Sequence, residues 1–296
     1  MSTHFDLAAL DMLVAVVESG GFTAAGARLG RTQSAISVRI QDLETQLGHR
    51  LLERSRRGVV PTPAGERLLA HARRLLAIQR EALDDLGGSS ASGRLRIGIV
   101  DGVVTSPVLG IHKALGRYCE YAPDVFIDLW LATPAELETA VADGTRDVVV
   151  GPMSQKVPGL TYLPIYREPH ALYCGRPHPL FGVPDDRLDR SAIEQSSFAV
   201  RGYQHFDDLY RANHPRPAGT VMHMEAQVMM ILSGQFIGFL PCHIGEDWVG
   251  KGLMRPLKPK TYNFASTHFV VTRSVDEQRA LVQSFVQEIK RQAASA

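Results

Sequence analysis

Apolar side chains in the first fifty residues recur at helical spacing. Leu7, Leu10, Val14 and Val17 fall at i, i+3, i+7 and i+10, on one face of a helix. Asp6 precedes it and can accept the free N–H groups at its start. Gly20-Gly21 ends that run. A short second helix is expected from Thr23, its N-cap, to Leu29, with Gly30 just past its end. Thr32 then caps a third helix running to Leu47 and closed by Gly48; its apolar stripe is Ile36, Ile40, Leu43 and Leu47. The other face carries Gln33, Ser34, Ser37 and Gln41, which are short or amide side chains rather than charged ones. Two short helices joined by a tight glycine turn, the second with a small polar face, describe a helix-turn-helix. Arg50 to Pro61 reads as two short strands around a basic turn.

The repeat then lengthens. From Ala64 to Leu86, Leu69, Leu76 and Leu83 recur at seven, with Ala72, Gln79 and Leu86 at the companion positions. Such a seam suits pairing of two copies of one helix. Residues 87–93 (GGSSASG) are small and polar, a linker. Beyond it, strand and helix patterns alternate. Residues 94–100, 125–132 and 147–151 read as buried strands. Helices follow Pro107 and the run Thr133-Pro134-Ala135-Glu136, a capping box with proline at the first helical position. Strands continue at 197–202, 236–241 and 264–271, and a final helix near 275–291 buries Leu281, Val282, Phe285 and Ile289. This alternation predicts an α/β region with a parallel, doubly wound sheet. The expected boundaries are 1–63 for the first module, 64–93 for helix and hinge, and 94–296 for the α/β module.

Composition narrows the class. The 296 residues are 45% hydrophobic and 21% charged, which excludes disordered, collagenous and disulfide-scaffold chains. No apolar run reaches the roughly 18–20 residues of a membrane span. The N-terminus lacks the basic region of a signal peptide. Three scattered cysteines without a CxxC fit a reducing cytoplasm. The net charge of +1 hides an asymmetry: residues 28–80 hold eleven arginines, no lysine and four acids, a local charge of +7. A basic module beside a mildly acidic one suits a nucleic-acid binder with a second function. The third helix has the compact face that a major groove about 12 Å wide demands. Gln33 can pair bidentately with an adenine edge, and Ser34 and Ser37 can reach bases or phosphates. Thr32, Arg39, Arg54, Arg56 and Arg57 are the candidates to hold phosphates or the minor groove.

These residues carry a resemblance. Over 18–66, the elements FTAAGARLG, TQSAIS, I-x-x-LE-x-x-LG-x-x-L-x-ER and TPAG stand in order and without gaps. The stretch resembles the winged helix-turn-helix of LysR-type transcriptional regulators. It departs from them at Gly26, where alanine is usual, and at Val38, where arginine is usual. Arg39 follows one residue later, turned ~100° around the helix. Residues 96–98 (RIG), 137–151, 163–169 (LPIYREP), 178–180 (HPL) and 232–241 resemble the same family's effector domain.

The resemblance implies a periplasmic-binding-protein-like effector domain of two α/β subdomains, about 94–166 with 267–296, and about 167–266. The chain would cross between them near 165–170 and return near 264–270. It further implies a sequence-specific regulator of promoter DNA, modulated by a small-molecule effector. A homodimer through the linker helix, a homotetramer, and RNA polymerase as a further partner belong to that picture; a cofactor does not. Ligands of open α/β sheets bind at strand carboxyl ends beside helix N-termini. That rule and the resemblance together line the effector cleft with Asp101, Gly102, Val103, Thr133, Arg201, Gly202 and Tyr203, closed by a helix beginning near Glu225. Thr133 also reads as an N-cap, and Arg201 as a partner for Asp207 or Asp208. Asp101 stands where a small polar residue is common. A carboxylate there favours an effector that brings a donor, such as an amine or hydroxyl.

Enzyme and metal readings find little purchase. The eight histidines after residue 100 form no HExxH or HxH. GxSxG, GxxxxGK[ST] and a strand-to-helix GxGxxG are absent from the sequence. The methionines between 222 and 230 read as core packing rather than a soft-metal site. Two other classes remain open on sequence grounds. A ligand-binding protein with a merely dimerising first module would show sequence-independent DNA affinity. An α/β enzyme with a regulatory helical module would turn over a bound metabolite.

Overall fold

A computed structural model of the chain describes residues 6–55, 58–86, 93–153, 156–204, 207–277 and 279–295. The described residues divide into two compact units, one within Met1–Ser89 with Asp143–Thr145 and the other within Ser90–Ala142 and Arg146–Ala296. Among them, no helix is long and apolar enough to cross a membrane.

The first unit runs α1 (Leu7–Glu18), α2 (Phe22–Leu29), α3 (Gln33–Leu47), a hairpin of β1 (Leu52–Ser55) and β2 (Gly58–Pro61), and α4 (Pro63–Leu86). Asp6 caps α1, accepting from the Ala9 N–H at 2.7 Å. Thr32 caps α3, accepting from Ala35 N–H at 3.3 Å. Helix α2 starts earlier than expected: Gly21, not Thr23, is its N-cap. Phe22 packs against the core and is drawn into the helix, which leaves Thr23 exposed. Gly26 has a local reason, because a Cβ there would lie 2.7 Å from the Arg31 carbonyl oxygen in the turn.

Leu10, Leu13, Ile36, Ile40, Leu43 and Leu51 form the centre of this unit, joined by Leu69, Ala72 and Leu76 from α4. The first part of the heptad seam is therefore spent inside its own unit. Farther along the helix, Ile78 and Leu83 are 57% and 61% exposed and keep an apolar face outward.

The second unit begins with β3 (Gly93–Ile99), α5 (Ile111–Tyr121), β4 (Val125–Leu131), α6 (Pro134–Ala142) and β5 (Val148–Pro152). A long β6 (Leu160–Gly175) leads to α7 (Arg190–Gln195), β7 (Ala199–Arg201), α8 (Asp207–Ala212), β8 (Gly219–Val221) and α9 (Met224–Leu232). The chain then forms β9 (Ile237–Pro241), α10 (Cys242–Gly250), β10 (Met254–Pro256), the returning β11 (Asn263–Arg273) and α11 (Ala280–Ala294). The main sheet is ordered β10-β6-β11-β5-β3-β4, with β9 also on β6. Only β4-β3-β5 matches the expected parallel arrangement within it; β6 and β11 pair antiparallel with all their neighbours.

Those two strands explain the difference. The first half of β6, through Tyr166, packs on the core of Ile97, Val149, Leu137 and Phe285. Its second half, Ala171 to Cys174, packs on Phe198, Ile237 and Phe239 on one side and Ile231 and Leu240 on the other. A register shift between His268 and Phe269, opposite Tyr166 and Pro164, marks the crossing. Two lobes thus share one antiparallel pair. Pro164 and Pro169 hide β6 from a sequence reading, since proline usually argues against a central strand.

One contact in the first unit gives a direct test of its packing. A Cβ on Gly65 would lie 2.0 Å from the Leu51 carbonyl oxygen. Thr62 fixes this corner, donating to Arg50 O at 2.7 Å and accepting from Gly65 N–H at 3.1 Å. Gly65→Ala is expected to destabilise the unit by roughly 1–3 kcal/mol. Urea unfolding checks it; an unchanged midpoint would mean that the start of α4 can move away from the hairpin.

Candidate nucleic-acid interface and ligand cavity

The leading face of α3 is held out by its own unit. Gln33, Ser34 and Thr32 are exposed and Ser37 is half-buried, while Ile36 and Ile40 anchor the opposite face at 0% and 2% exposure. The Thr32 and Ser34 hydroxyls lie 3.2 Å apart, so the helix start presents a compact hydroxyl pair. Val38, in place of the usual arginine, is 58% exposed. Arg39 folds back into an ion pair with Asp6, the cap of α1. Glu44 at the other end of α3 fixes the hairpin, its Oε1 accepting from Leu51 N at 2.7 Å and Leu52 N at 3.1 Å. The Arg54 side chain, Arg56 and Arg57 lie outside the described residues.

In the second unit, a cavity of about 840 Å³ opens beyond the carboxyl end of β3. One wall is Asp101 and Gly102 with Val104, Thr105 and Leu131; the other is formed by α9 and α10, including Val228, Ile244 and Trp248. The lining is largely apolar, with Asp101, Glu225 and Asp247 against Lys251 and His223. The Lys251 ammonium sits 4.3 Å from the Trp248 ring centroid. The Asp101 Oδ2 accepts from the Met224 N–H at the start of α9, with His223 Nδ1 3.6 Å away. An in-chain carboxylate thus takes the place that a helix N-terminus offers to an anion.

Of the residues expected in the cleft, Asp101 and Gly102 line this cavity; the rest do not. Val103 is 1% exposed and belongs to the first lobe's core. Thr133 is occupied by Glu136, whose Oε2 accepts from its N–H at 2.8 Å and its hydroxyl at 2.7 Å. Those two bonds hold the Glu136 carboxyl below the usual range. Arg201 is 2% exposed and grips Asp208, at 2.7 Å through Nη2 and 3.0 Å through Nε. Burial opposes the Arg201 charge, but Asp208 raises its pKa beyond the ordinary value, with Tyr203 a further partner. The arginine is bound up with Asp208, and Gly202 and Tyr203 follow it in the chain and do not line the cavity.

Helix α10 is not evident from the sequence pattern, although Ile244 and Trp248 stand at i, i+4. Gly245 and Gly250 mask it. Gly245 is needed because a Cβ would strike the Tyr173 ring at 2.2 Å.

Beneath the cavity lies a buried polar cluster at the strand crossing. Glu168 on β6 is 4% exposed. His170 Nε2 and His268 Nε2 are each 3.6 Å from its Oε2, and His243 Nδ1 is 3.7 Å from its Oε1. Burial pushes the Glu168 carboxyl up to about 7 against the pull of Arg201. Burial also lowers His243, takes His268 down to about 4, and drives His170 well below the ordinary imidazole value.

A compact helix face beside a hairpin wing, and a separate two-lobed α/β unit with a cavity, define a ligand-responsive DNA-binding regulator. Residues 7–66 match the family model "Bacterial regulatory helix-turn-helix protein, lysR family", and residues 88–294 match "LysR substrate binding domain". Over 97% of its length the chain is 34% identical to the HTH-type transcriptional activator BauR of Pseudomonas aeruginosa, covering 95% of it. Its fold is similar to that of a full-length OxyR variant from Pseudomonas aeruginosa, with TM-score 0.67, 19% identity and 97% and 95% of the two chains covered. It is also similar to full-length CbnR complexed with its target DNA, with TM-score 0.52, 20% identity and 98% and 100% covered.

The chain belongs to the LysR family: it is a transcriptional regulator with a DNA-binding helix-turn-helix and an effector-binding domain, and not an enzyme. CbnR, described as a LysR family transcriptional regulator, is the protein solved in that DNA complex.

The buried ion pair yields a prediction about role. Removing one partner strands a buried charge, at a cost of about 3–5 kcal/mol, whereas replacing both with apolar residues is often near neutral. Asp208→Ala is expected to destabilise the second unit by that amount, and Arg201→Met with Asp208→Leu to restore most of it. Chemical unfolding of the three proteins checks this; a double variant no better than the single one would assign Arg201 another role.

Proposed function

We propose that this regulator reads its operator through the leading face of α3, with Gln33 on a base edge and Ser34 and Ser37 on bases or phosphates. Thr32 and the wing arginines Arg54, Arg56 and Arg57 hold the backbone on either side. Arg39 contributes through the phosphate nearest the start of α1, where Asp6 orients it. The observation that supports this reading is the exposed, uncharged start of α3, anchored by fully buried isoleucines within residues 28–80, a stretch of net charge +7. The exposed Ile78 and Leu83 of α4 pair with a second copy to form the dimer, two dimers make the tetramer, and the bound assembly contacts RNA polymerase in the cytoplasm. As with the relative named an activator, the outcome is activation.

The effector occupies the cavity between Asp101 and α10. Its class follows from the lining: an apolar body against Val228, Ile244 and Trp248, and an amine or hydroxyl donor toward the three carboxylates. Because Asp101 already fills the N-terminus of α9, an anionic group has no free seat there.

Selection of sheared genomic DNA by the full-length protein at near-physiological salt tests the operator reading. A few intergenic fragments sharing an imperfect palindrome are expected; salt-sensitive binding without enrichment, with or without candidate metabolites, would overturn it. A bidentate base contact is worth about 1–3 kcal/mol of discrimination. Gln33→Ala should therefore weaken operator binding about ten- to a hundredfold while leaving random DNA unaffected; equal losses on both would remove Gln33 from base reading. Asp101→Ser should abolish the response to an amine- or hydroxyl-bearing effector, measured by calorimetry with a ligand that the unsubstituted protein binds. An unchanged affinity would dismiss the donor idea.

A further inference from the structure

We propose that Glu168 and His243 form a proton-operated strut beneath the cavity, which holds the Asp101–Gly102 turn against α10 while Glu168 carries a proton and releases it when that proton leaves. The proposal concerns regulation of the cavity and rests on its reading as the effector site.

The argument begins at Gly102. Its carbonyl oxygen lies 3.1 Å from His243 Nε2, and a carbonyl can only accept, so Nε2 carries the imidazole proton. Burial disfavours the charged ring, and in the neutral ring with its proton on Nε2, Nδ1 holds a bare lone pair. Nδ1 faces Glu168 Oε1 at 3.7 Å. Two acceptors face each other there unless a proton lies between them. A protonated Glu168 removes the conflict by turning its O–H toward Nδ1 across the 3.7 Å gap, which lets His243 keep its Nε2–H on Gly102 O.

The neighbouring groups are largely committed elsewhere. On β6, His170 donates from Nδ1 to its own strand's Glu168 carbonyl at 3.1 Å, and its Nε2 accepts from Arg201 Nη1 at 3.3 Å. Both its nitrogens are spent. On β11, the His268 Nε2 near Oε2 serves the other carboxyl oxygen. The Arg201 charge on β7 is bound by Asp208 of α8, with Arg211 of that helix turned to the Phe264 ring at 4.0 Å. Tyr166 on β6 and Cys242, Glu246 and Asp247 on α10 complete the surroundings and bring no cation. A carboxylate on Glu168 would therefore meet the His243 lone pair directly.

When Glu168 releases its proton to solvent, the ring proton of His243 relocates from Nε2 to Nδ1 by exchange with water. The new Nδ1–H meets the carboxylate, and the bond to Gly102 is lost. That turn also bears Asp101, which grips the start of α9, so one proton governs how the cavity's two walls are tied. A carboxyl group with a raised pKa contributes its tie below the ordinary carboxylate range, and the tie fades as pH rises through about 7.

Trp248 lines the same cavity on α10 and reports the change without any ligand. In full-length protein carrying Trp130→Phe, so that Trp248 alone emits, fluorescence is followed from about pH 5.5 to about pH 8.5. A one-proton step with its midpoint near 7 is expected. Glu168→Gln, whose amide donates permanently to Nδ1, should lose the step and hold the acid-side emission. His243→Gln keeps an N–H for Gly102 but cannot titrate, and should lose the step too; it decides the matter where Glu168→Gln fails to fold. A flat wild-type curve, or a step that survives either folded variant, overturns the proposal. No effector enters the measurement, so a wrong effector class leaves the titration intact and appears only in the binding assays.

Discussion

The pairing of β6 with β11 is the constraint on which the second unit depends. Each strand enters one hydrophobic core and leaves through another, so neither lobe can move without bending this pair. The register shift beside His268 supplies the bend, as bulges commonly do. The same crossing places Glu168, His170 and His268 on adjacent strands in the dry layer between the cores. There, an unpaired charge costs several kcal/mol. The polar groups are accordingly matched in sequence: Asp208 to Arg201, Arg201 to His170, His170 to the Glu168 backbone. A point that must flex is thus also the point where the interior is most polar, and its hydrogen bonds give discrete alternatives that a purely apolar hinge would lack.

How much of this could be read from the sequence depended on the range of the interaction. Caps act within three residues, so Asp6, Thr32 and the Thr133–Glu136 pair were legible, as were the helices they begin. Thr23 misled because a nearby aromatic, Phe22, competes for the helix start through burial, a force that capping rules do not contain. The edge and direction of β6 were hidden for a different reason. Its prolines speak locally against a strand, and only partners some hundred residues away in β11 outweigh them. Helix α10 was lost to two glycines, one of which exists for a contact with Tyr173 on β6.

The cavity wall shows the same division. A carboxylate at position 101 was visible as an oddity, and charge alone suggested a ligand that brings a donor. The fold adds that its nearest donor is already in the chain, at the start of α9. Conversely, Arg201 was expected on the cleft wall, with Asp207 or Asp208 as an alternative partner, and its burial and two bonds to Asp208 favour that alternative. Both residues were ambiguous in sequence because a charge announces that it needs a partner but not where the partner stands.

The ties across the cavity also set the energy scale of the proposed switch. The two walls meet at the Asp101–Gly102 turn through the Met224 amide and His243, hydrogen bonds of which each contributes about 0.5–1.5 kcal/mol net, more where a charge takes part. Contacts of that size hold one arrangement over another by a few kcal/mol at most, so the alternative stays within reach. An effector then needs only a similar difference in affinity between the two arrangements to reverse their populations, since each 1.4 kcal/mol is about tenfold. Tight binding alone would achieve nothing; what counts is that the ligand touches both walls in one arrangement and loses one of them in the other. With the turn after β3 on one wall and α9 and α10 on the other, the cavity offers both walls to a single ligand.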